Sequence, residues 1–310
     1  MSPSPPAPSD GRGGGAARGA VLAGVACYTL WGVLPLYLRA VAASGPQPLE
    51  VIAHRALWSV PWAGLLALMA GQARQCLAVL KTPRTFGLLT ASALLIAANW
   101  TLYVWAVAHG RVLEGSLGYY INPLMNMAAG AVLFRERLDG FGWGAIILAT
   151  IGVGAQTLAL GHPPYVSLAL AVTFTFYGLI RKQVAADAQT GLFVECLVLA
   201  PLALGYILWL GHAGAGHFLT RTQPTVLLLL AGPVTVVPLM LFAWAARRLP
   251  LSTVGFLQFI GPTLQFAIGV EGGESLNALR AVSFAFIWAG VAVFAFGAWR
   301  KTGGLRLARA

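Results

Sequence analysis

The chain has 310 residues, of which 58% are hydrophobic and only 9% are charged, and its mean hydropathy is +0.76. Soluble domains carry about 25% charged residues, so the composition excludes a soluble fold for most of the chain. The formal net charge of +11 would suit a nucleic-acid partner, but the placement of the basic residues indicates a membrane instead.

Apolar segments near the length that a helix needs to cross a bilayer core recur along the whole sequence. They predict an all-α integral membrane protein with ten transmembrane helices, at residues 20–40, 48–70, 86–108, 112–134, 140–160, 164–182, 190–210, 225–246, 250–270 and 279–299.

The two ends of the chain are predicted to be cytoplasmic tails. Residues 1–19 are rich in Pro, Ser, Gly and Arg and are expected to be disordered, and residues 300–310 are basic. A cleaved signal peptide is the alternative at the N-terminus, but the next apolar segment is long for one. With the N-terminus inside, 15 Lys and Arg residues lie on the inner side and three on the outer side. This distribution follows the positive-inside rule and places both termini in the cytoplasm.

A pattern that spans the third and fourth predicted helices recurs 139 residues later. Its residues Trp105, Pro123 and Gly130 correspond to Trp244, Pro262 and Gly269. The chain is therefore predicted to contain two five-helix repeats, 20–160 and 164–299. Because five is an odd number of crossings, the second repeat would be inverted. Inverted repeats around a central site are typical of secondary transporters.

The second predicted helix begins with polar side chains near the outer membrane face. Charged groups in a bilayer usually face a cavity or a partner, so Glu50, His54 and Arg55 are predicted to act in gating rather than in direct solute contact. A structural role is also open, because Glu50 at a helix start complements the helix dipole. Whether Glu50, Arg39 and Arg55 pair is left open. Glu195 is the counterpart of Glu50 in the second repeat and would serve an inner gate.

The third and fourth helices carry polar faces that are expensive in lipid. Asn99 and Tyr103 share one face of the third helix. Along the fourth helix, residues four apart form a polar stripe, made of Glu114, Gly118, Asn122 and Asn126. Pro123 would free a backbone carbonyl and kink this helix. The alternative is that the amide side chains only bond to neighbouring helices.

The ninth helix repeats this pattern without a charge, since Gln258, Pro262 and Gln265 share a face. The solute site is therefore predicted at mid-membrane between the fourth and ninth helices, with Pro262 as a second kink. The residues predicted to bind the solute are Asn99, Tyr103, Tyr119, Tyr120, Asn122 and Gln258. Glu114 is the predicted coupling residue, because a carboxyl group held away from water can carry a proton.

Motifs of metal, nucleotide or catalytic chemistry are not found in the sequence. It has no HExxH motif and no phosphate-binding loop. The three cysteines, Cys27, Cys76 and Cys196, lack the spacing of a zinc site. Neither a cofactor, a metal nor a catalytic residue is predicted, and the chain is expected not to be an enzyme.

Eight segments in order carry a family resemblance: AHRALWS (53–59), NWTLYVWAV (99–107), LEGSLGYYINPL (113–124), FRERL (134–138), FTFYGLIRK (174–182), AQTGLFVE (188–195), LSTVGFLQFIGPT (251–263) and FAFIW (284–288). Together they resemble the RarD branch of the EamA family, in the drug/metabolite transporter superfamily. The resemblance implies ten transmembrane helices, an inverted five-plus-five repeat and a permease of the bacterial inner membrane. Some members are linked by name to chloramphenicol sensitivity, but the family implies no agreed substrate.

The function predicted is a secondary transporter that moves small organic metabolites or drug-like solutes by alternating access, with proton coupling left open. Its partners would be the solute and the lipid bilayer, without nucleic acid, and a homodimer is left open. The rival predictions are a channel, a structural or regulatory membrane subunit, and a membrane-embedded enzyme that acts on lipid-linked substrates. Substrate, direction and coupling ion are not given by the sequence.

Overall fold

The computed structural model describes residues 11–133, 138–246, 248–249 and 257–307. The secondary structure assigned to these residues is helical throughout. Among them, seven helical segments are long and apolar enough to cross a membrane: Arg18–Ala43, Pro48–Met69, Pro83–Ala108, Gly140–Leu160, Ala188–His212, Thr222–Phe242 and Ala278–Gly297.

The helices of the first half are α1 (Gly11–Gly32), α2 (Leu34–Ala43), α3 (Pro48–Met69), α4 (Ala73–Leu80), α5 (Pro83–Ala108), α6 (Val112–Leu133) and α7 (Gly140–Leu160). Those of the second half are α8 (Tyr165–Gln183), α9 (Ala188–His212), α10 (Thr222–Ala246), α11 (Ile260–Glu271) and α12 (Ala278–Leu307).

The first predicted helix is interrupted at Val33, which separates α1 from α2. Pro35 lacks the N–H group that would bond to the carbonyl of Trp31 in a continuous helix. Gln265 of α11 takes that place, since its Nε2 donates to the carbonyl oxygen of Trp31 at 3.1 Å. The break is therefore stabilised by a side chain from the other half of the chain.

Other boundaries also differ from the predicted ones. Helix α1 begins at Gly11, inside the segment predicted as a disordered tail, and α12 extends to Leu307. The short helix α4 occupies the long connection between the second and third predicted helices. The ninth predicted helix, 250–270, is helical from Ile260, and its first residues, 250–256, lie outside the described residues.

The helices around the centre of the molecule pack closely against one another. Helix α3 packs against α9 and α10, α6 packs against α8 and α11, and α7 packs against α12. At the last contact, the hydroxyl of Ser283 donates to the carbonyl oxygen of Gly152 at 2.7 Å, and a Cβ atom at Gly152 would lie 2.9 Å from the carbonyl oxygen of Ser283. Small residues permit this approach between backbones in lipid.

Candidate functional site

Arg55 lies in the interior of the helix bundle, where α3, α5 and α10 meet. Only 5% of the residue is exposed. Its Nε donates to the hydroxyl of Thr235 on α10 at 3.1 Å. Its guanidinium carbon lies 4.6 Å from the centre of the Trp100 ring on α5, a cation–π distance. The side chain is thus held in place by a hydroxyl group and an indole face.

Three tyrosines from three helices pack in the same cluster as Trp100. They are Tyr37 of α2, Tyr103 of α5 and Tyr119 of α6. The rings of Tyr103 and Tyr119 lie 5.3 Å apart, and the hydroxyl of Tyr37 donates to the carbonyl oxygen of Leu227 at 2.7 Å. Arg55, Trp100 and these three tyrosines form what we call the central cluster.

The central cluster contains hydrogen-bonding atoms that are buried without a partner among the described residues. They include Nη1 of Arg55 and the hydroxyl of Tyr103. Oδ1 of Asn122, on α6, is in the same situation, and Asn122 is 5% exposed. Unsatisfied polar groups in a dry interior are uncommon and raise the question of what bonds to them.

Asn99 makes the contact between helices that the sequence indicated. Its Nδ2 donates to the carbonyl oxygen of Leu170 and to the hydroxyl of Thr173, both at 2.9 Å and both on α8. Oδ1 of Asn99 remains without a partner among the described residues. The amide therefore joins α5 to α8 and keeps one acceptor atom available.

Two other predicted solute ligands lie apart from the central cluster. The hydroxyl of Tyr120 bonds to that of Thr263 at 2.6 Å, and its ring packs in a separate apolar cluster with Phe284. Gln258 is half-buried in the turn before α11 rather than on a helix face shared with Pro262. Pro262 lies in the first turn of α11, and its carbonyl oxygen accepts from Ser116 at 2.8 Å.

The predicted kink at Pro123 lies within α6, which continues as helix through this position. The side chains of Pro123 and Asn126 lie outside the described part of the structure.

We name the two ends of the bundle after the orientation predicted from the sequence, outer for the end that holds Glu50 and inner for the end that holds Glu195. At the outer end, Glu50 lies at the start of α3. Its Oε1 accepts from the backbone N–H of His217 at 2.7 Å, and its Oε2 lies 2.9 Å from Nδ1 of the same imidazole. Gly45, with φ of 115°, leaves the space for this ring, since a Cβ atom there would lie 2.6 Å from it. Glu50 is 1% exposed, so a surface loop seals this end through a buried carboxylate.

Arg39 and Glu274 form a second contact at the same end, with 3.9 Å between Nη2 and Oε1. Glu274 also accepts from the backbone N–H groups of Val112 and Leu113, at 2.6 and 2.8 Å, and so caps α6. Burial raises the pKa of Glu274 above its ordinary value, although the two N–H donors and Arg39 act in the opposite direction.

Glu114 lies in the first turn of α6, next to Gly115, which packs against the ring of Tyr103. Its Oε1 accepts from Nε of Arg111 at 2.6 Å, and its Oε2 has no partner among the described residues. Both residues border a pocket of about 250 Å³ together with Glu274 and Arg280. The predicted coupling carboxylate is thus ion-paired and lies beside a pocket that loop residues also line.

The inner end has an equivalent closure around Glu195 of α9, which is 2% exposed. Its Oε1 accepts from the hydroxyl of Ser92 on α5 at 2.6 Å and lies 3.7 Å from Nε of Arg181 on α8. The hydroxyl of Tyr177 donates to its Oε2 at 3.5 Å. Three helices are joined here by one carboxylate.

The pairing left open by the sequence is resolved by these contacts. Glu50 pairs with His217, Arg39 pairs with Glu274, and Arg55 pairs with neither carboxylate. His54 lies next to the outer loop, where its Nδ1 accepts from Nε1 of Trp58 at 2.9 Å and its ring lies 4.7 Å from that of Phe218. Thr235 and Tyr37, which complete the surroundings of Arg55, were not among the predicted site residues.

Membrane-crossing helices that enclose a buried cation, with polar closures above and below it, define a membrane transporter as the class of protein. The family comparison agrees, because the model of the EamA-like transporter family matches residues 18–155.

Relatives match almost the whole chain. An "Uncharacterized transporter" of Vibrio cholerae is 41% identical over 94% of this chain and 97% of its own length. "Protein RarD" of Salmonella typhi is 42% identical over 91% of this chain and 96% of its own. The chain belongs to the EamA-like transporter family, among its RarD-named members, and is a multi-pass membrane protein of a bacterial transporter family. A solved structure titled "Crystal structure of protein" has the same fold, with a TM-score of 0.58, 21% identity and coverage of 89% of this chain and 96% of that one.

Proposed function

We propose that this protein is a secondary transporter that moves small organic metabolites or drug-like solutes across the bacterial inner membrane by alternating access. One observation carries the proposal: the central cluster around Arg55 is sealed at one end by Glu50 and at the other by Glu195. A site that faces neither side, with a separate closure on each, is what an alternating mechanism requires.

The proposal includes ten membrane-spanning helices in two inverted repeats, 20–160 and 164–299. The count treats α1 and α2 as one broken span and leaves out the short α4. Helix contacts support the duplication, because three contacts that join the two halves each have a counterpart with the halves exchanged. Thus α3 packs on α10 as α9 packs on α5, α6 packs on α8 as α11 packs on α1, and α5 packs on α8 as α10 packs on α1.

The location of the termini belongs to the same proposal. The excess of Lys and Arg in alternate loops places both tails, 1–19 and 300–310, in the cytoplasm. Glu50 then closes the outer side and Glu195 the inner side.

In the transport cycle, release of His217 from Glu50 would open the outer side, while the contacts of Glu195 with Ser92, Tyr177 and Arg181 keep the inner side closed. The reverse exchange would open the inner side. Asn99, Tyr103, Tyr119 and Asn122 would contact the solute in between. Tyr120 and Gln258, which lie apart from Arg55, would shape the packing of α6 and α11 rather than bind directly.

Glu114 is the proposed proton carrier. Its carboxylate pairs with Arg111, and the two residues border a pocket of about 250 Å³ through which a proton would reach the outer solution. Loss of a proton would favour the pair with Arg111, and gain of a proton would release it.

The test is transport by purified protein in proteoliposomes, with a proton gradient imposed in either direction. Wild-type protein should move a solute, and Glu114→Gln should abolish the response to the gradient while the protein still folds. A normal response of this variant to the gradient would remove Glu114 from coupling. Ion current through single molecules would indicate a channel instead.

A further inference from the structure

Buried charges of opposite sign are distributed unequally in this molecule. Within the described residues, each of four buried carboxylates lies close to a basic side chain: Glu50 to His217, Glu114 to Arg111, Glu195 to Arg181 and Glu274 to Arg39. Arg55 is more deeply buried than any of these four basic partners, and its contacts are a hydroxyl and an indole ring. Within the described structure, the centre therefore retains one positive charge without a carboxylate.

A guanidinium in the interior of a membrane protein is expensive unless an anion balances it. Helix α3 could carry an apolar residue at this position, as it does at Val51, Ile52 and Ala56. The protein instead holds the charge rigidly, with Nε fixed by Thr235 and one face on Trp100. This arrangement leaves Nη1 directed at no acceptor among the described residues.

A second buried donor, the hydroxyl of Tyr103, also needs a hydrogen-bond acceptor. This hydroxyl lacks an acceptor within the described structure, and Tyr103 packs in the same cluster as Trp100, the ring on which Arg55 lies. Two donors, one of them charged, call for a ligand with acceptor atoms and negative charge. Carboxylate oxygens meet this need, and guanidinium–carboxylate bonds are among the strong ones in proteins.

We propose that the transported solute is a small organic monocarboxylate, bound through its carboxylate to Arg55 and Tyr103. The inference rests on the proposed transport function and adds the substrate class. One guanidinium balances one negative charge, so a monoanion fits better than a dianionic phosphate. The aromatic faces of Trp100 and Tyr119 provide contact area for an apolar body.

The same charges disfavour a zwitterionic solute. An ammonium group would need an acidic partner near Arg55, and within the described chain the buried carboxylates are engaged at the two ends of the bundle. Oδ1 of Asn99 and Oδ1 of Asn122 remain as neutral acceptors. They would accept from a hydroxyl or amide group on the solute rather than balance a charge.

The experiment is an exchange assay that needs no prior choice of solute. Proteoliposomes are loaded with a polar metabolite extract of bacterial cells, and mass spectrometry identifies the compounds that leave faster than from protein-free vesicles, under a proton gradient of either sign. We compare wild type, Arg55→Gln, Arg55→Lys and Arg84→Gln, in which an exposed arginine on α5 is the matched control.

The compounds that move through the wild type should be monocarboxylates. Their rate should fall about 10- to 100-fold in Arg55→Gln, the range expected for loss of a hydrogen bond to a charged group. Arg55→Lys should retain part of the rate because it keeps the charge, and Arg84→Gln should match the wild type.

Each other result has its own meaning. Movement of neutral or cationic compounds overturns the substrate class while the transport function stands. Carboxylate movement that is unchanged in Arg55→Gln overturns the role of Arg55. If nothing moves through the wild type under either gradient, the proposed transport function fails, and the substrate class falls with it.

A stability measurement separates solute binding from a structural role. If Arg55 is retained for binding, the purified Arg55→Gln variant should unfold at a Tm equal to or above that of the wild type, because a buried unpaired charge has been removed. A clear decrease in Tm would mean that Arg55 stabilises the bundle, and would contradict the proposal. The monocarboxylate found in the exchange assay should raise the Tm of the wild type and leave that of Arg55→Gln unchanged.

Discussion

The two ends of the bundle each hold a buried carboxylate, and these two carboxylates, which correspond in the proposed repeat, bond to different kinds of partner. Glu50 is held by the backbone and the imidazole of one loop residue, His217, whose side chain is 27% exposed. Glu195 is held by side chains from helices, including Arg181, whose side chain is 16% exposed. The outer closure therefore depends on the position of a loop, and the inner closure on the packing of helices.

This difference predicts unequal energies for opening the two sides. A loop with few packed neighbours separates locally at low free energy, whereas helix contacts open together with their surroundings. Glu195 also lies beside a permanently charged guanidinium, that of Arg181, whereas the basic side chain beside Glu50 is the imidazole of His217. The following predictions test this comparison, from the largest expected effect to the smallest.

Removal of the inner carboxylate should cost the most stability. Glu195→Ala leaves the guanidinium of Arg181 largely buried without its partner, and we expect the free energy of unfolding to fall by about 3 kcal/mol. Glu50→Ala should cost about 1–2 kcal/mol, because the loop that carries His217 can move once the carboxylate is removed. Denaturant unfolding of both variants in detergent measures the difference. Equal losses, or a larger loss for Glu50→Ala, would contradict the comparison.

A side chain at Gly191 should displace the inner pair without changing either charged residue. A Cβ atom there would overlap the guanidinium of Arg181, so Gly191→Ala should cost about 1–3 kcal/mol. Gly205→Ala is the control on the same helix, since its Cβ would meet nothing within 4 Å. Comparison of the two Tm values decides the result. A neutral Gly191→Ala would mean that Arg181 can move away from Glu195 at little cost.

Local opening should follow the carboxylate that is removed. In Glu50→Gln, amide hydrogen exchange should rise about 10-fold over residues 213–221, which contain the N–H of His217 bonded to Glu50. Residues 184–195 should keep their wild-type exchange. Glu195→Gln should show the opposite pattern. Exchange that spreads to both ends in either variant would mean that the two closures open together.

The smallest effect concerns pH at the outer end. Because the pKa of Glu274 is raised in the folded protein, its contribution to stability is present at low pH and is lost as pH rises through the folded pKa. The Tm of the wild type minus that of Glu274→Gln should therefore fall between pH 4 and pH 7, by about 2 °C or less. A difference that rises with pH would mean that Arg39 and the N–H donors outweigh burial.

The positions of helices were predicted well where an apolar segment of the sequence marks the helix by itself. The apolar segments 48–70 and 112–134 correspond closely to α3 and α6. The break at Val33 was missed, although Pro35 marked it, because the group that stabilises the break is Gln265 on a distant helix. Hydropathy and the positions of prolines predict where helices begin and end. They do not predict which distant side chain bonds to a carbonyl group that a proline leaves free.

The site was predicted less completely, for a physical reason. Glu50, Arg39 and Arg55 are close in sequence, and only the fold reveals that Glu50 bonds to a residue 167 positions away. Arg55 was therefore predicted to act in gating. Its lack of a carboxylate partner becomes visible only when the partners of all the buried charges are known. Tyr37 and Thr235 gave no sequence signal, because one more tyrosine or threonine in an apolar helix is usual.

Cys196 follows Glu195 on α9, the helix that packs against α3 and so against the helix that carries Arg55. The residue is 1% exposed, and the other two cysteines, Cys27 and Cys76, are also buried. A maleimide in solution can reach Cys196 only when one end of the bundle has opened. Labelling of Cys196 in the unmodified protein would therefore show that the interior of the bundle has become accessible. A membrane-impermeant maleimide added on one side at a time would report which end opens and how often.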